Sequence, residues 1–289
     1  MRRLPIPAYD TVSILQQCFL GVSDLILRTK YMNTENLLLQ SADNYAAKAL
    51  AVQLFTIPAN DCATHEVALG ALTKSELYKL YTQYFAGKTK PARSYYDSLL
   101  LSTPDQKCPY CGFGHIYTLV HYLPKSKYPE FSVLTSNLVP ACRDCNEGCK
   151  SSASVSSADE QLLHPYFDKQ NFFNEQWLFA LILETSPAAV KFYVSCPLGW
   201  SDSAKSRVRK HFENFDLNKR YIVEAADELS SLSPRLSTYH KHATAAQIKA
   251  ILDETLEIEQ HKHKNSWMTA LYDALIKSNW YCSGGFNAS

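Results

Sequence analysis

Two cysteine pairs, Cys108-Pro-Tyr-Cys111 and Cys142-Arg-Asp-Cys145, are the residues whose spacing dictates chemistry most directly. Two residues between thiolates let one turn present both sulfurs to a single ion. Two such turns close a tetrahedral four-thiolate zinc site with no open coordination position, so the site is structural. The alternative is four reduced thiols holding no metal. Residues 112–141 lie between the pairs, a longer separation than a zinc ribbon uses, so a sizeable segment is inserted into the clamp. Cys18, Cys62, Cys149, Cys196 and Cys282 read as free thiols of a reducing compartment. Of these, Cys149 is the one to question, because it follows the second pair so closely.

The clamp encloses and leads into "GFGHIYTLVHYLPKSKYPEFSVLTSNLVPACRDCNEGCK". A hairpin-length run carries His121, a loop carries Pro124, Lys125, Lys127 and Pro129, and Asn137 follows. A helix is expected to begin near the second pair and to carry Asn146 and Lys150. This order resembles the HNH endonucleases. The strings "HYLPKSKYPEFS", "NLVPACRDCN" and "LHPYFD" are similar to the zinc-clamped members found in bacterial antiphage defence and restriction loci. The resemblance covers residues 105–170 and extends more weakly to "WMTALYDALIKSNWYCSGGF".

The resemblance implies a ββα-metal, treble-clef-like core that hydrolyses phosphodiester bonds, of DNA before RNA. It implies His121 as general base, Asn137 as the residue that fixes the base-bearing loop, and Asn146 as a ligand to a catalytic Mg²⁺ or Mn²⁺ beside the structural Zn²⁺. Lys150 would contact phosphate, although "NEGCK" is one residue longer than the family's asparagine-to-lysine spacing. Lys125 and Lys127 are further candidates for phosphate contact. A controlling protein partner, such as an ATPase encoded in the same operon, is also implied. One position departs from the pattern. Val120 stands where the family carries an acidic or imidazole metal ligand, and valine can hold no metal. Either His115, Asp144 or His164 helps to replace it, or the chain is a catalytically impaired nucleic-acid-binding or assembly subunit. A purely structural zinc module is the third reading.

The elements around this centre read as helical. In "NTENLLLQSADNYAAKALAVQLF", Leu38, Ala42, Tyr45, Ala46, Ala49 and Val52 recur at helical spacing. Thr73 and Glu76 form a capping box before a stripe of Leu77, Leu80, Tyr81, Tyr84 and Phe85. Those aromatics read as core, not as a base-stacking platform. "IYTLVHYL" and "FSVL" look β-like, and "WLFALILETSPAAVKFYVSC" looks like two strands about a Ser-Pro turn. "KSSASVSSADE" reads as a flexible connector ending in a second capping box, Ser157 to Glu160. Three further helices are expected after it. The expected class is α+β, predominantly α-helical. Its parts are an N-terminal helical region (1–105), the zinc-clamped core (106–151) and a mostly helical α/β region (152–289).

Composition sets the limits. A chain of 289 residues with 46% hydrophobic and 20% charged residues can bury a sizeable core. The net charge of +1 excludes a uniformly basic surface, leaving local patches at "GKTKPAR" (87–93), "AKSRVRKHF" (204–212), 240–242 and 261–264 for phosphate contact. Pro5, Pro7 and Asp10 break any signal-peptide core, and "WLFALIL" falls short of the roughly 20 residues a membrane span needs. A cytoplasmic location with no membrane partner is expected.

Overall fold

The computed structural model describes residues 1–151 and 157–287, without the side chains of 149–151. Residues 152–156 of the serine-rich connector therefore lie outside the described residues. The chain forms two compact units, one of Arg3–Asp168 and one of Lys169–Ser289 with Met1–Arg2. The first unit holds the expected 106–151 core together with the N-terminal helices.

In the first unit α1 (Thr11–Leu20) and α2 (Leu25–Leu50) begin on aspartate caps. Asp10 accepts from the amides of Val12 and Ser13, and Asp24 from those of Ile26 and Leu27. These carboxylates satisfy amides that have no partner inside the helix. A short hairpin, β1 (Val67–Leu69) and β2 (Leu72–Thr73), leads into α3 (Lys74–Lys79), opened by the expected Thr73/Glu76 capping box. The helix then widens into a π-helical turn at Leu80–Phe85, where the Ala86 amide donates to the Tyr81 carbonyl across five residues. Next come α4 (Arg93–Leu100), β3 (Thr118–His121), β4 (Leu138–Ala141) and α5 (Arg143–Ser151). β3 and β4 pair antiparallel, with Val120 opposite Val139 and His121 opposite Leu138.

One core serves the helices and the hairpin alike. Ile14 and Phe19 of α1, Tyr31 of α2, Leu77 of α3 and Leu99 of α4 are buried in the same cluster as Leu119 and Leu138. The tyrosines of the two stripes are core, as the spacing predicts: Tyr45, Tyr81 and Tyr84 are all buried. Val52 lies beyond the end of α2, with a left-handed φ of 58°. Two other expectations fail. "FSVL" is not a strand, because Pro129 starts a 3₁₀ turn that takes in Phe131, and the strand pairing with β3 is instead "LVPA". Ser157–Glu160 closes a turn through the Glu160 amide and opens no helix.

In the second unit α6 (Asn171–Asn174) precedes the expected hairpin, β5 (Leu178–Leu183) and β6 (Ala189–Val194), whose turn contains a cis Ser186-Pro187 bond. Leu178, Ile182, Val190 and Phe192 alternate onto its buried face. Helices α7 (Asp202–Asn214), α8 (Leu217–Tyr239), α9 (Ala245–Lys262), α10 (Trp267–Lys277) and α11 (Asn279–Cys282) complete the unit. The first two are separated by Asp216, at φ 48°. α8 and α10 pack on the hairpin. The class is mixed α+β and mainly helical, with small two-stranded sheets. Among the described residues no helix is long and apolar enough to cross a membrane.

Candidate functional site

The two cysteine pairs converge. The sulfurs of Cys108, Cys111, Cys142 and Cys145 lie within 4.8 Å of one another, and all four residues are buried. A tetrahedral ion with metal–sulfur bonds of about 2.3 Å places its sulfurs about 3.8 Å apart. Cys111 Sγ and Cys142 Sγ are 3.9 Å apart. Gly114 leaves the room: a Cβ there would fall 2.8 Å from Cys142 Sγ and 2.9 Å from Cys142 Cβ. Its amide also donates to Cys111 Sγ at 3.3 Å. Hydrogen bonding from Cys108 lowers the Cys111 thiol to about 7, while contacts from Cys108, Cys111 and Cys145 hold the Cys142 thiol far below its ordinary range. Burial raises Cys108, and its sulfur neighbours raise Cys145. Thiolate at such a buried cluster needs a cation to neutralise it. The four could hold a metal ion such as zinc.

His121 ends β3, half-buried, with its Nε2 2.8 Å from the Ser132 carbonyl oxygen. A carbonyl only accepts, so Nε2 carries the hydrogen and the neutral ring keeps its lone pair on Nδ1. Burial pushes the imidazole down to about 4, against the pull of the Ser132 carbonyl and with help from the Lys125 charge. The ring is therefore unprotonated at neutral pH. Ser132 is fixed in turn by its Oγ, which donates to the Leu77 carbonyl of α3 at 2.9 Å. The Tyr81 ring stands edge-on to the imidazole at 4.4 Å between centroids.

Asn137 is completely buried. Its Oδ1 accepts from the Leu123 amide at 2.7 Å, and its Nδ2 donates to the carbonyls of Leu123 and Phe131 at 3.0 and 3.2 Å. It thus ties both ends of the loop that follows His121. The "LHPYFD" segment anchors the same hairpin. Tyr166 Oη donates to the Leu138 carbonyl at 2.8 Å, and Tyr122 Oη donates to the Leu162 carbonyl at 2.6 Å. His164 stacks on Tyr122 at 4.1 Å. Its Nδ1 accepts from the Tyr166 amide at 3.2 Å, so Nε2 donates to Tyr45 Oη at 3.1 Å. Both ring nitrogens are engaged, and His164 is an anchor, not a replacement metal ligand.

The residues expected to hold a catalytic cation are poorer in donors. Asn146 is half-buried on α5, which packs against β3. Val120 is 3% exposed and points to the face of the strand opposite His121. Asp144 is exposed and lies two residues from Asn146, roughly 200° away around the helix. His115 is exposed and bridges to Lys107 in the turn between the first cysteine pair and β3. Among the described residues, the four cysteines are the only cluster of three or more His, Cys, Asp or Glu side chains able to hold an ion. Asn146 itself offers a divalent cation one amide oxygen, and among the described residues no cluster of three or more carboxylate or imidazole ligands accompanies it, which is a poor fit. The side chains of Lys150 and Cys149 lie outside the described residues.

The two loop lysines differ. Lys125 has its ammonium over the Tyr81 ring at 4.9 Å and the Tyr78 ring at 5.9 Å, and burial lowers its pKa. Lys127 is paired with Asp61 at the surface, so its phosphate contact would compete with a carboxylate. Several residues of the basic patches are tied down. Lys90 donates to the Gly21 carbonyl, Arg93 to that of Ala86, and Arg207 is buried against the Phe172 ring. In the last patch His263 is bonded to the Met1 carbonyl and Lys262 to Glu259.

Sequence reasoning did not single out Ser132 or Tyr81 at this site. Ser132 acts through its carbonyl, which leaves no mark on residue type. Tyr81 had a signal, its place on the buried stripe, but that stripe gave no hint that one ring faces His121.

No family model matches the chain and no solved structure matches it. Protein ea31 of Escherichia phage lambda is 34% identical over 296 residues, an alignment that covers 98% of this chain and 100% of ea31. That likeness runs through both compact units, so their combination is a property shared by the two proteins. The chain belongs to the family of phage lambda protein ea31.

Proposed function

We propose that the chain is an HNH-type nuclease that hydrolyses phosphodiester bonds, with DNA the preferred substrate. The observation that carries this reading is the state of His121: a neutral imidazole whose Nε2–H is fixed on the Ser132 carbonyl and whose Nδ1 is left to take a proton. A base needs a free lone pair in a fixed direction. Support also comes from the order of parts. The hairpin bearing His121 runs into α5, with the cysteine cluster at the start of both segments and Asn137 locking the loop between the strands. In this reading zinc fills the cysteine site and holds the hairpin to α5. Lys125 supplies a positive charge near the base.

A second reading is favoured by Val120, which buries an apolar side chain where the resembled family places a metal ligand. The centre is then impaired, and the chain serves as a nucleic-acid-binding or assembly subunit. In either case an ATPase partner and a setting in antiphage defence are part of the proposal.

One experiment separates the readings. The purified chain, His121→Ala and Val120→Asp are incubated with DNA and with RNA in Mg²⁺ or Mn²⁺. Cleavage by the native chain that falls ~10²–10⁴-fold in His121→Ala is the outcome expected of a general base. Cleavage only by Val120→Asp would sink the active reading and uphold the impaired one.

A further inference from the structure

Tyr81, distant in sequence, touches two groups of the segment "HYLPK". Its ring lies edge-on to the His121 imidazole at 4.4 Å and carries the Lys125 ammonium at 4.9 Å. The ring is 8% exposed, and its hydroxyl reaches the Leu119 carbonyl at 3.4 Å. It belongs to the π-helical turn, in which the bond from the Ala86 amide to the Tyr81 carbonyl takes in one residue more than an α-helix allows. Such turns recur at functional sites. Here the wider turn buries Leu80, Tyr81, Tyr84 and Phe85 together. The same helical segment supplies the Leu77 carbonyl that holds Ser132, and the Ser132 carbonyl in turn holds His121.

We infer that Tyr81 is a positioning residue: its ring fixes the imidazole of His121 and the ammonium of Lys125 relative to each other, so that a phosphate drawn to Lys125 arrives beside Nδ1. The attraction of a cation for an aromatic face holds Lys125 in place. The edge contact, with the Ser132 hydrogen bond, removes the freedom of the imidazole to flip. The catalytic consequence rests on the nuclease reading, whereas the geometric one stands without it. The base would then be built jointly, with the hairpin supplying the histidine and the N-terminal helices supplying its frame.

The test uses the full chain with ¹⁵N-labelled histidine at neutral pH. Two-bond nitrogen–proton spectra of the native protein should show His121 as a single Nε2–H tautomer, kept in Tyr81→Phe and replaced by a tautomer mixture in Tyr81→Leu. Inorganic phosphate should shift the Nδ1 signal in the native protein and not in Lys125→Met. Where nucleic acid is cut, kcat should fall roughly 10–100-fold in Tyr81→Leu and stay near native in Tyr81→Phe. Tyr81→Met, which keeps apolar volume, replaces the leucine variant should that one not fold. An unchanged tautomer signal in the leucine or methionine variant overturns the inference, as does an Nδ1 phosphate shift that survives Lys125→Met. A native chain that cuts nothing refutes the nuclease reading alone, and the spectra then judge the positioning.

Discussion

Asn137→Ala tests the most completely engaged side chain of the site. The substitution removes one acceptor and two donors from a position with no solvent access, leaving the Leu123 amide and the carbonyls of Leu123 and Phe131 to find new partners. Each buried group left unsatisfied costs ~1–3 kcal/mol. The amide is the hardest to satisfy otherwise, and each carbonyl keeps a second lone pair, so a total of about 3–5 kcal/mol is expected. That is a large part of the ~5–15 kcal/mol that holds a domain folded. With a urea dependence of ~2 kcal/mol per molar, the midpoint of the first unit should fall by roughly 2 M. The four tryptophans, Trp177, Trp200, Trp267 and Trp280, all lie in the second unit. Their fluorescence is the wrong probe, and exchange of the Leu123 amide read by mass spectrometry or NMR is the right one. Asn137→Asp keeps the acceptor for that amide but aims a carboxylate at two carbonyls. Its folded pKa should rise above the ~3.9 of an unfolded aspartate, so the variant should be most stable below pH 4 and lose stability as pH climbs through the raised value. A loss under about 0.5 kcal/mol in Asn137→Ala, with Leu123 exchange unchanged, would refute the clamp, since even one net hydrogen bond contributes about that much.

Three other outcomes are expected. Metal analysis should find one zinc per chain, and Cys142→Ser should lose it together with protection of the α5 amides. Protection that persists without metal would mean that the cysteine cluster holds itself. His121 has a folded pKa of about 4 against an ordinary value of 6.5, so the unfolded chain binds the extra proton first as pH falls. Stability should therefore decline from pH 6.5 toward 4, by up to about 3 kcal/mol, and the slope should flatten in His121→Leu. An equal slope in both proteins would assign the acid sensitivity elsewhere, the cysteine thiolates first. Tyr166→Phe removes the bond to the Leu138 carbonyl and should cost about 1 kcal/mol by thermal or urea unfolding, with no loss of zinc.

Legibility followed the scale of each signal. The cysteine pairs were readable because metal ligation demands both residue type and spacing, and the buried sulfurs do converge. The Thr73/Glu76 box and the β5–β6 hairpin were readable because caps and alternation are local. "FSVL" misled because a short, mostly apolar run suits a buried 3₁₀ turn as well as a strand, and only the pairing partner of β3 decides between them. Ser157–Glu160 has the letters of a capping box with no apolar helix following it, so the cap had nothing to cap. The frame of His121 was hidden for another reason. It depends on a backbone carbonyl and on contacts from α3 and the π-helical turn, and neither leaves a pattern near His121 in the sequence.

The two halves of the centre stand under different physical constraints. His121 and Asn137 are held by the same bonds that close the hairpin and its loop, so folding alone penalises their loss. A metal ligand at position 120 is under the reverse pressure. A carboxylate there would sit opposite Val139 in a site where the present side chain is 3% exposed, and without a cation its burial would be costly. Valine relieves that cost and packs well across the strands. In the impaired reading, a chain that did not need the cation would thus be expected to carry the histidine with an apolar residue at position 120, as this chain does. The presence of His121 therefore argues less for catalysis than its tautomer alone would. In the proposed nuclease, the weight therefore falls on whether a cation can be bound beside Asn146, and that is what divides the active reading from the impaired one.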